Sequence, residues 1–210
     1  MGRGFERSID FGYFGFISEP FLYALHFFHR FTGSYGLDII VLTVLIKILM
    51  APLTHKSFVS MKQMQKLQPQ MEKLKEKYSD DKEKLNKEIM ELYRRNGVNP
   101  LGGCLPMVLQ MPVFVALFNI LYMTIDLRQA PFILWIKDLS AQDPYYVLPV
   151  LMGISMVVQQ KIMPTTMDPT QAKIMLLLPA FMTVLFLTFP SGLVLYWLTN
   201  NVITILQQFV

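Results

Sequence analysis

Charge and cysteine are both scarce in this sequence. Charged residues make up 16% of the 210 positions and apolar residues 53%, against ~25% charged in ordinary soluble domains. Cys104 is the only cysteine, which excludes an intramolecular disulfide and any cysteine-based metal cluster. Leu101-Gly102-Gly103-Cys104 has the form of a lipoprotein cleavage box. It lies mid-chain with no signal peptide before it, so Cys104 reads as a small residue at a helix start. No glycine-rich phosphate loop is present, so no nucleotide site is available to drive work. No cleavable signal peptide opens the chain either. Met1-Gly2-Arg3-Gly4 reads as a trimmed start, and the sequence stops at Val210 inside an apolar run, so both ends are expected to be cut ends.

What charge there is lies unevenly. Gly102 to Thr124 contains none, whereas Lys56 to Arg95 holds eleven lysines and arginines. A bilayer core needs about 20 apolar residues as a helix, and five runs approach that: Tyr35 to Thr54, Leu105 to Ile125, Tyr145 to Met163, Ala172 to Phe189 and Gly192 to Val210. Pro106, Pro112, Pro149 and Pro179 fall in or near these runs. Neighbouring membrane helices can satisfy the carbonyls they free. The cation-rich 56–100 loop is expected in the cytoplasm by the positive-inside rule, because the 126–144 loop has only Arg128 and Lys137 beside three aspartates. Five spans then leave the N-terminus outside and the C-terminus inside. The expected fold is all-α, with five transmembrane helices, an outer interfacial helix and a cytoplasmic helical hairpin.

The interfacial helix is expected within residues 1–33. Gly12 to Phe31 is rich in Phe, Tyr and Leu but is interrupted by Glu19, His26, His29 and Arg30, with Pro20 near its start. Such a helix suits the plane of the interface. His26 and His29 have metal-ligand spacing but no third ligand nearby, so they read as polar tips and no metal is expected. The first transmembrane helix should occupy 34–55, the hairpin 56–99, and the remaining spans 100–210. In the hairpin, Phe58, Met61, Met64, Leu67, Met71, Leu74 and Tyr78 recur at threes and fours and form one stripe. Pro69 should kink this arm. Asp80 with Glu83 resembles a capping box for the second arm, which carries Leu85, Ile89 and Leu92 and stops at Asn96-Gly97. Met61, Met64, Met71 and Met90 have two readings: an adaptable apolar surface for substrate, or packing between the arms.

Lys47 is the most informative residue. It interrupts the apolar stretch Ile39 to Met50, where a charge costs about 2.5–3.5 kcal/mol on insertion scales. Thr43 lies one turn before it and Thr54 two turns after, so one face of this helix is polar. Gln110, Asn119, Gln159, Gln160, Asn200 and Asn201 are possible companions in other spans, and no intramembrane carboxylate is expected to pair with it. Two readings stand: Lys47 lines a hydrated groove that attracts acidic segments, or it snorkels to the cytoplasmic interface.

Several ordered motifs then carry a resemblance. Asn99-Pro100-Leu101-Gly102-Gly103-Cys104-Leu105-Pro106 runs on to Gln110-Met111-Pro112. Leu127 to Phe132 leads to Trp135-Ile136-Lys137-Asp138-Leu139-Ser140-Ala141-Gln142-Asp143-Pro144, Pro164-Thr165-Thr166 follows the third span, and Pro190-Ser191-Gly192-Leu193-Val194-Leu195-Tyr196 opens the last. Over roughly Phe11 to Val210 the chain resembles the membrane core of the bacterial YidC insertases, relatives of the mitochondrial oxidase-assembly and chloroplast Albino insertases. The resemblance implies a five-helix bundle with a hydrophilic groove open to cytoplasm and lipid and closed on the outer side. It implies a bacterial inner-membrane protein that inserts and helps fold newly made membrane proteins. The family's positive groove residue falls on Lys47, its polar groove positions on Thr43 and Gln110, and its aromatic substrate-contacting region on Tyr196 and Trp197. This favours the groove reading of Lys47. Most relatives carry arginine there; lysine keeps the charge without the bidentate fork, so a diffuse electrostatic pull is implied. The additional N-terminal span, large periplasmic domain and basic C-terminal tail of other members lie outside this sequence.

Partners implied are nascent membrane proteins, anionic lipid, the ribosome and the Sec translocon. No DNA and no cofactor is implied, and the sequence is compatible with a monomer. A transporter would place ionisable residues in several spans, often with repeat symmetry; one charge and no repeat are visible. A membrane hydrolase would need a serine beside Lys47, but Ser155 and Ser191 belong to other spans and Ser57 lies beyond the first. An enzyme is therefore not expected.

Overall fold

The computed structural model describes residues 15–79, 81–99, 102, 105–124, 127–162 and 169–209. Seven helices and no strand occur among them: α1 (Gly15–Thr32), α2 (Tyr35–Lys77), α3 (Lys82–Arg95), α4 (Leu105–Met123), α5 (Val147–Ile162), α6 (Pro169–Phe186) and α7 (Ser191–Phe209). The Cys104 and Pro164-Thr165-Thr166 readings lie outside the described residues.

The expected first span and first hairpin arm are one element. α2 continues through Pro52 and Pro69 for 43 residues, about 65 Å at 1.5 Å per residue. A hydrocarbon core of ~30 Å accommodates less than half of it. By length and apolar content α2 is the one described helix sufficient to cross a membrane, and Val108–Tyr122, Val147–Ile162 and Leu176–Phe186 are shorter apolar segments. The fourth run was expected to reach Phe189, yet α6 ends at Phe186. Pro190 disfavours helical geometry in the residue before it, and 187–189 turn instead.

The N-terminal half of α2 packs beside α7, and the two run parallel. A Cβ on Gly192 would lie 3.4 Å from Ile39 Cδ1 at their starts, and Lys47 meets Thr204 further along both helices. α7 is the centre of the bundle: Ser191 to Tyr196 are all buried, with Leu117, Ile120, Leu121, Leu139 and Met152 in the same core. α5 fits against α6 where Gly153 faces Thr183. α1 packs Leu22 and Leu25 inward and exposes Phe16, Tyr23, Phe27 and Phe31 on the other side.

Apolar residues are also exposed in helical stripes elsewhere. Val44, Leu45, Ile48 and Leu49 do so on α2, Val150, Leu151, Ile154 and Val158 on α5, and Leu176, Leu177, Phe181 and Val184 on α6. In water such contiguous patches favour association. In hydrocarbon the surrounding solvent is as apolar as the side chains, so they carry no such penalty.

The far half of α2 pairs with α3. Met61, Met64, Leu67 and Met71 bury against Tyr93 and Val98, with Phe58, Ile89 and Leu92 packed around them. The cap of α3 is Asp81, whose side chain accepts from Lys84 N at 3.0 Å. Asp81 thus corrects the reading that placed a cap at Asp80, which lies outside the described residues. The far end stops as the sequence suggests. Gly97 has φ +65°, its N–H donates to Arg94 O at 3.2 Å, and Val98 N–H donates to Tyr93 O at 2.9 Å. These paired bonds satisfy the last carbonyls, and glycine takes the left-handed position without a Cβ clash.

Candidate functional site

A polar seam inside the bundle lies between α2 and α7. Lys47 Nζ donates to Thr204 Oγ1 at 2.8 Å, and Gln207 Nε2 approaches Lys47 O at 3.5 Å. Thr204 in turn donates to Asn200 O at 2.7 Å. Asn200, Thr204 and Gln207 stand at i, i+4 and i+7, one face of α7. Thr43 is buried one turn above Lys47 and donates back to Ile39 O at 2.6 Å. Lys47 itself is half-buried and reaches across to α7.

The other expected groove residues are distributed around this seam rather than within it. Tyr196 is 1% exposed, and its hydroxyl has no partner among the described residues. Trp197 points elsewhere, since adjacent residues on a helix differ by about 100°. Its ring packs edge-on to Phe114 at 5.5 Å and against Phe186 at 5.3 Å. Gln110 is half-buried on α4, and no hydrogen bond joins it to Lys47 or Thr43 among the described residues. Met61, Met64 and Met71 are buried between α2 and α3, as the packing alternative expects and the surface alternative does not; Met90 alone of the four is exposed, at 58%. Tyr93 Oη donates to Met71 Sδ at 3.2 Å. Burial there raises the Tyr93 phenol above its ordinary pKa, against a smaller opposing pull from Lys75.

The end of the bundle where α2 and α7 begin is covered by the loop between α4 and α5. Ser191 N–H donates to Ala141 O at 2.7 Å and Gly192 N–H to Leu139 O at 2.8 Å, so two loop carbonyls cap α7. A Cβ at Gly192 would sit 2.8 Å from Leu121 Cδ2 and 3.2 Å from Leu139 O, so this approach requires glycine. Phe132 lies directly over Gly36 at the start of α2. Asp143 is buried and orders the loop's return. It accepts from Trp135 Nε1 at 2.9 Å, from Tyr145 N at 3.0 Å and from Leu148 N at 2.7 Å. At Asp138 burial opposes ionisation. Hydrogen bonds from the Ser140 hydroxyl and from backbone N–H groups of Ser140, Gln129 and Ala141 outweigh it, holding the carboxyl below its ordinary value.

The sequence reading missed two participants, Thr204 and Asp38, and misassigned a third, Asn201. Thr204 carried a signal only in its spacing from Asn200. Asn201 was named as a companion of Lys47 but faces α5, where its Nδ2 donates to Ser155 Oγ at 2.9 Å. Asp38 is a buried carboxylate inside the expected first span that the sequence analysis does not single out. It accepts from Thr32 Oγ1 at 2.5 Å and lies 2.9 Å from His29 Nδ1, with His29 stacked on Tyr35. Asp38 precedes Lys47 by nine residues, about 13.5 Å along the helix, so it ties α1 to α2 rather than pairing with the lysine.

A helical bundle with lipid-suited outer faces, one cation in an internal polar seam and a loop over one end is a membrane protein core. The sequence profile of the 60Kd inner membrane protein family matches residues 27–210. The chain belongs to that family. It is 57% identical over 209 residues to the membrane protein insertase YidC of Geobacter sulfurreducens, covering 100% of this chain and 39% of that protein. The YidC proteins of Geotalea uraniireducens and Magnetococcus marinus are 58% and 55% identical over 208 and 204 residues, covering 99% and 97% of this chain and 39% and 37% of theirs. In three dimensions the fold is similar to a crystal structure of an active YidC insertase with its first transmembrane domain resolved. The TM-score is 0.71 at 28% identity, over 91% of this chain and 45% of that one. The chain thus spans about two fifths of the length of the curated relatives it matches.

Proposed function

We propose that this chain inserts newly made proteins into the bacterial inner membrane, and helps them fold there, by shortening the polar path across the bilayer rather than by bond chemistry. The observation that carries the reading is the Lys47–Thr204 contact at 2.8 Å, which holds a cation within the bundle. Lys47 attracts acidic residues in the hydrophilic tail of a substrate, and the apolar helix that follows partitions into lipid at the groove's mouth. Thr43 shares the α2 face of Lys47, and Gln110, Tyr196 and Trp197 border the groove. The loop over the starts of α2 and α7 supports a groove closed on one side and open towards α3.

In this reading residues 1–33 lie in the outer interface, 34–55 form the first span, 56–99 a cytoplasmic hairpin, and 100–210 the other four spans. The parallel course of α2 and α7 fits first and fifth spans that both run inward, with the N-terminus periplasmic and the C-terminus cytoplasmic. The aromatic outer face of α1 suits an interfacial helix. The hairpin, through exposed Met90 and its lysines, meets substrate, anionic lipid, the ribosome or the Sec translocon. The test is protease-protected insertion of a short acidic-tailed, single-span protein into liposomes containing this chain. Insertion above empty liposomes is the expected result, and no gain would contradict autonomous insertion by the chain.

A further inference from the structure

We infer that Thr204 is the positioning residue of this groove: a neutral anchor that holds the Lys47 ammonium inside the bundle without cancelling its charge. The inference rests on the groove reading above and adds a residue that sets its specificity for acidic tails. A threonine hydroxyl offers one donor and two acceptor sites, and an ammonium offers three donors and no acceptor. The Thr204 donor is committed to Asn200 O at 2.7 Å, so its oxygen faces Lys47 as an acceptor, at 2.8 Å. One of the three Lys47 donors is thereby used. Among the described residues Nζ has no other hydrogen bond and no carboxylate partner, so two donors remain for a substrate carboxylate.

Position is the difficulty for a lysine here. Its flexible four-carbon stem can carry the ammonium to the interface, and an aspartate or glutamate partner would hold it only by cancelling its field. A buried hydroxyl on the parallel helix holds it at no cost in charge. Gln207, one turn beyond Thr204, reaches back to Lys47 O at 3.5 Å and keeps the same helix face in register.

The test compares two single-span substrates that differ only in whether tail carboxylates are replaced by amides, and reads the ratio of their insertion. That ratio is independent of how much protein reconstitutes. Thr204→Val keeps the branched shape and removes the acceptor, and is expected to lower the acidic-tail preference by about tenfold, the scale of a lost hydrogen bond to a charged group. Thr204→Ser restores the oxygen and is expected to restore the preference. In a Lys47→Ala background, Thr204→Val should add nothing. A second readout needs no insertion: modification of Lys47 by a membrane-impermeant amine reagent, mapped by mass spectrometry. It should run several-fold faster in Thr204→Val than in the parent or Thr204→Ser, as the ammonium moves to the interface.

A parent-like ratio in Thr204→Val, with loss in Lys47→Ala, would overturn the anchor and leave the groove standing. Retention of the preference in Lys47→Ala would overturn both. Failure of Thr204→Ser to differ from Thr204→Val would place the role in packing and overturn the anchor. If neither substrate inserts, equal modification rates overturn it and faster modification in Thr204→Val alone supports it.

Discussion

Asn201 on α7 donates to Ser155 on α5 at 2.9 Å, while the preceding residue, Asn200, lies on the face that accepts Thr204 and meets Lys47. Two successive asparagines thus face two different helices, and the rotation of α7 about its axis is fixed by the pair. Ser155→Ala removes the acceptor and leaves a buried amide unpaired. The expected loss of stability is about 0.6–1.7 kcal/mol, the range for interhelical hydrogen bonds in membranes. Ser155→Ala combined with Asn201→Leu should recover much of it, because both polar partners are then gone. Thermal unfolding in one detergent measures both single variants, Ser155→Ala and Asn201→Leu, and the double variant; a fully additive double variant would mean the two side chains do not act on each other.

Gly192→Ala should loosen the loop that caps α7. The added Cβ meets Leu121 Cδ2 at 2.8 Å and Leu139 O at 3.2 Å, and the second contact is backbone that is itself accepting from Gly192 N. A destabilisation of about 1–3 kcal/mol is expected for overpacking of this kind. Faster hydrogen exchange at the amides of Ser191 and Gly192 is the specific sign, and unchanged exchange there would contradict it.

The four hairpin methionines should behave unequally. Met64→Ala empties a site buried against α3 and is expected to destabilise the α2–α3 pairing by about 2 kcal/mol, the low end for a core truncation. Met90→Ala touches an exposed side chain and should change stability by less than about 0.5 kcal/mol. Protection of α3 amides separates the two cases.

Asp138 gives the loop an acid-sensitive contact. Its folded pKa lies below the ordinary carboxylate value, so the ionised form contributes stability that is present above the unfolded pKa of ~3.9 and is lost as pH falls through the folded value. Exchange of the 138–141 amides should therefore be flat from pH 7 to about 5, after correction for intrinsic rates. Below about pH 4 it should rise, and Asp138→Asn should abolish that step. A step of the same size in Asp138→Asn would assign it elsewhere.

Much of this architecture was legible in the sequence because its signals are periodic or costly. The stripe from Met61 to Met71 follows the helical repeat, and Asn96-Gly97 marks a helix end by its chemistry. Lys47 stands out because hydrocarbon penalises a charge. Thr204 was not legible for a related reason. Threonines in these helices routinely bond back to their own backbone, as Thr43, Thr54 and Thr199 do, so residue type does not distinguish an anchor from an ordinary hydroxyl. Only the parallel packing of two helices, which brings together residues 157 apart in sequence, does so. Asp80 and Asp81 are both carboxylates at a helix start, and pattern alone does not choose between them. Asp38 was hidden by its place in the first turn of a long apolar run.

The most direct measurement is a charge swap at Lys47. Liposomes carrying Lys47→Glu should lose insertion of an acidic-tailed substrate and gain insertion of the same substrate with a basic tail, relative to the parent chain. Equal insertion of both substrates by parent and variant would contradict a groove in which the Lys47 charge draws the tail across.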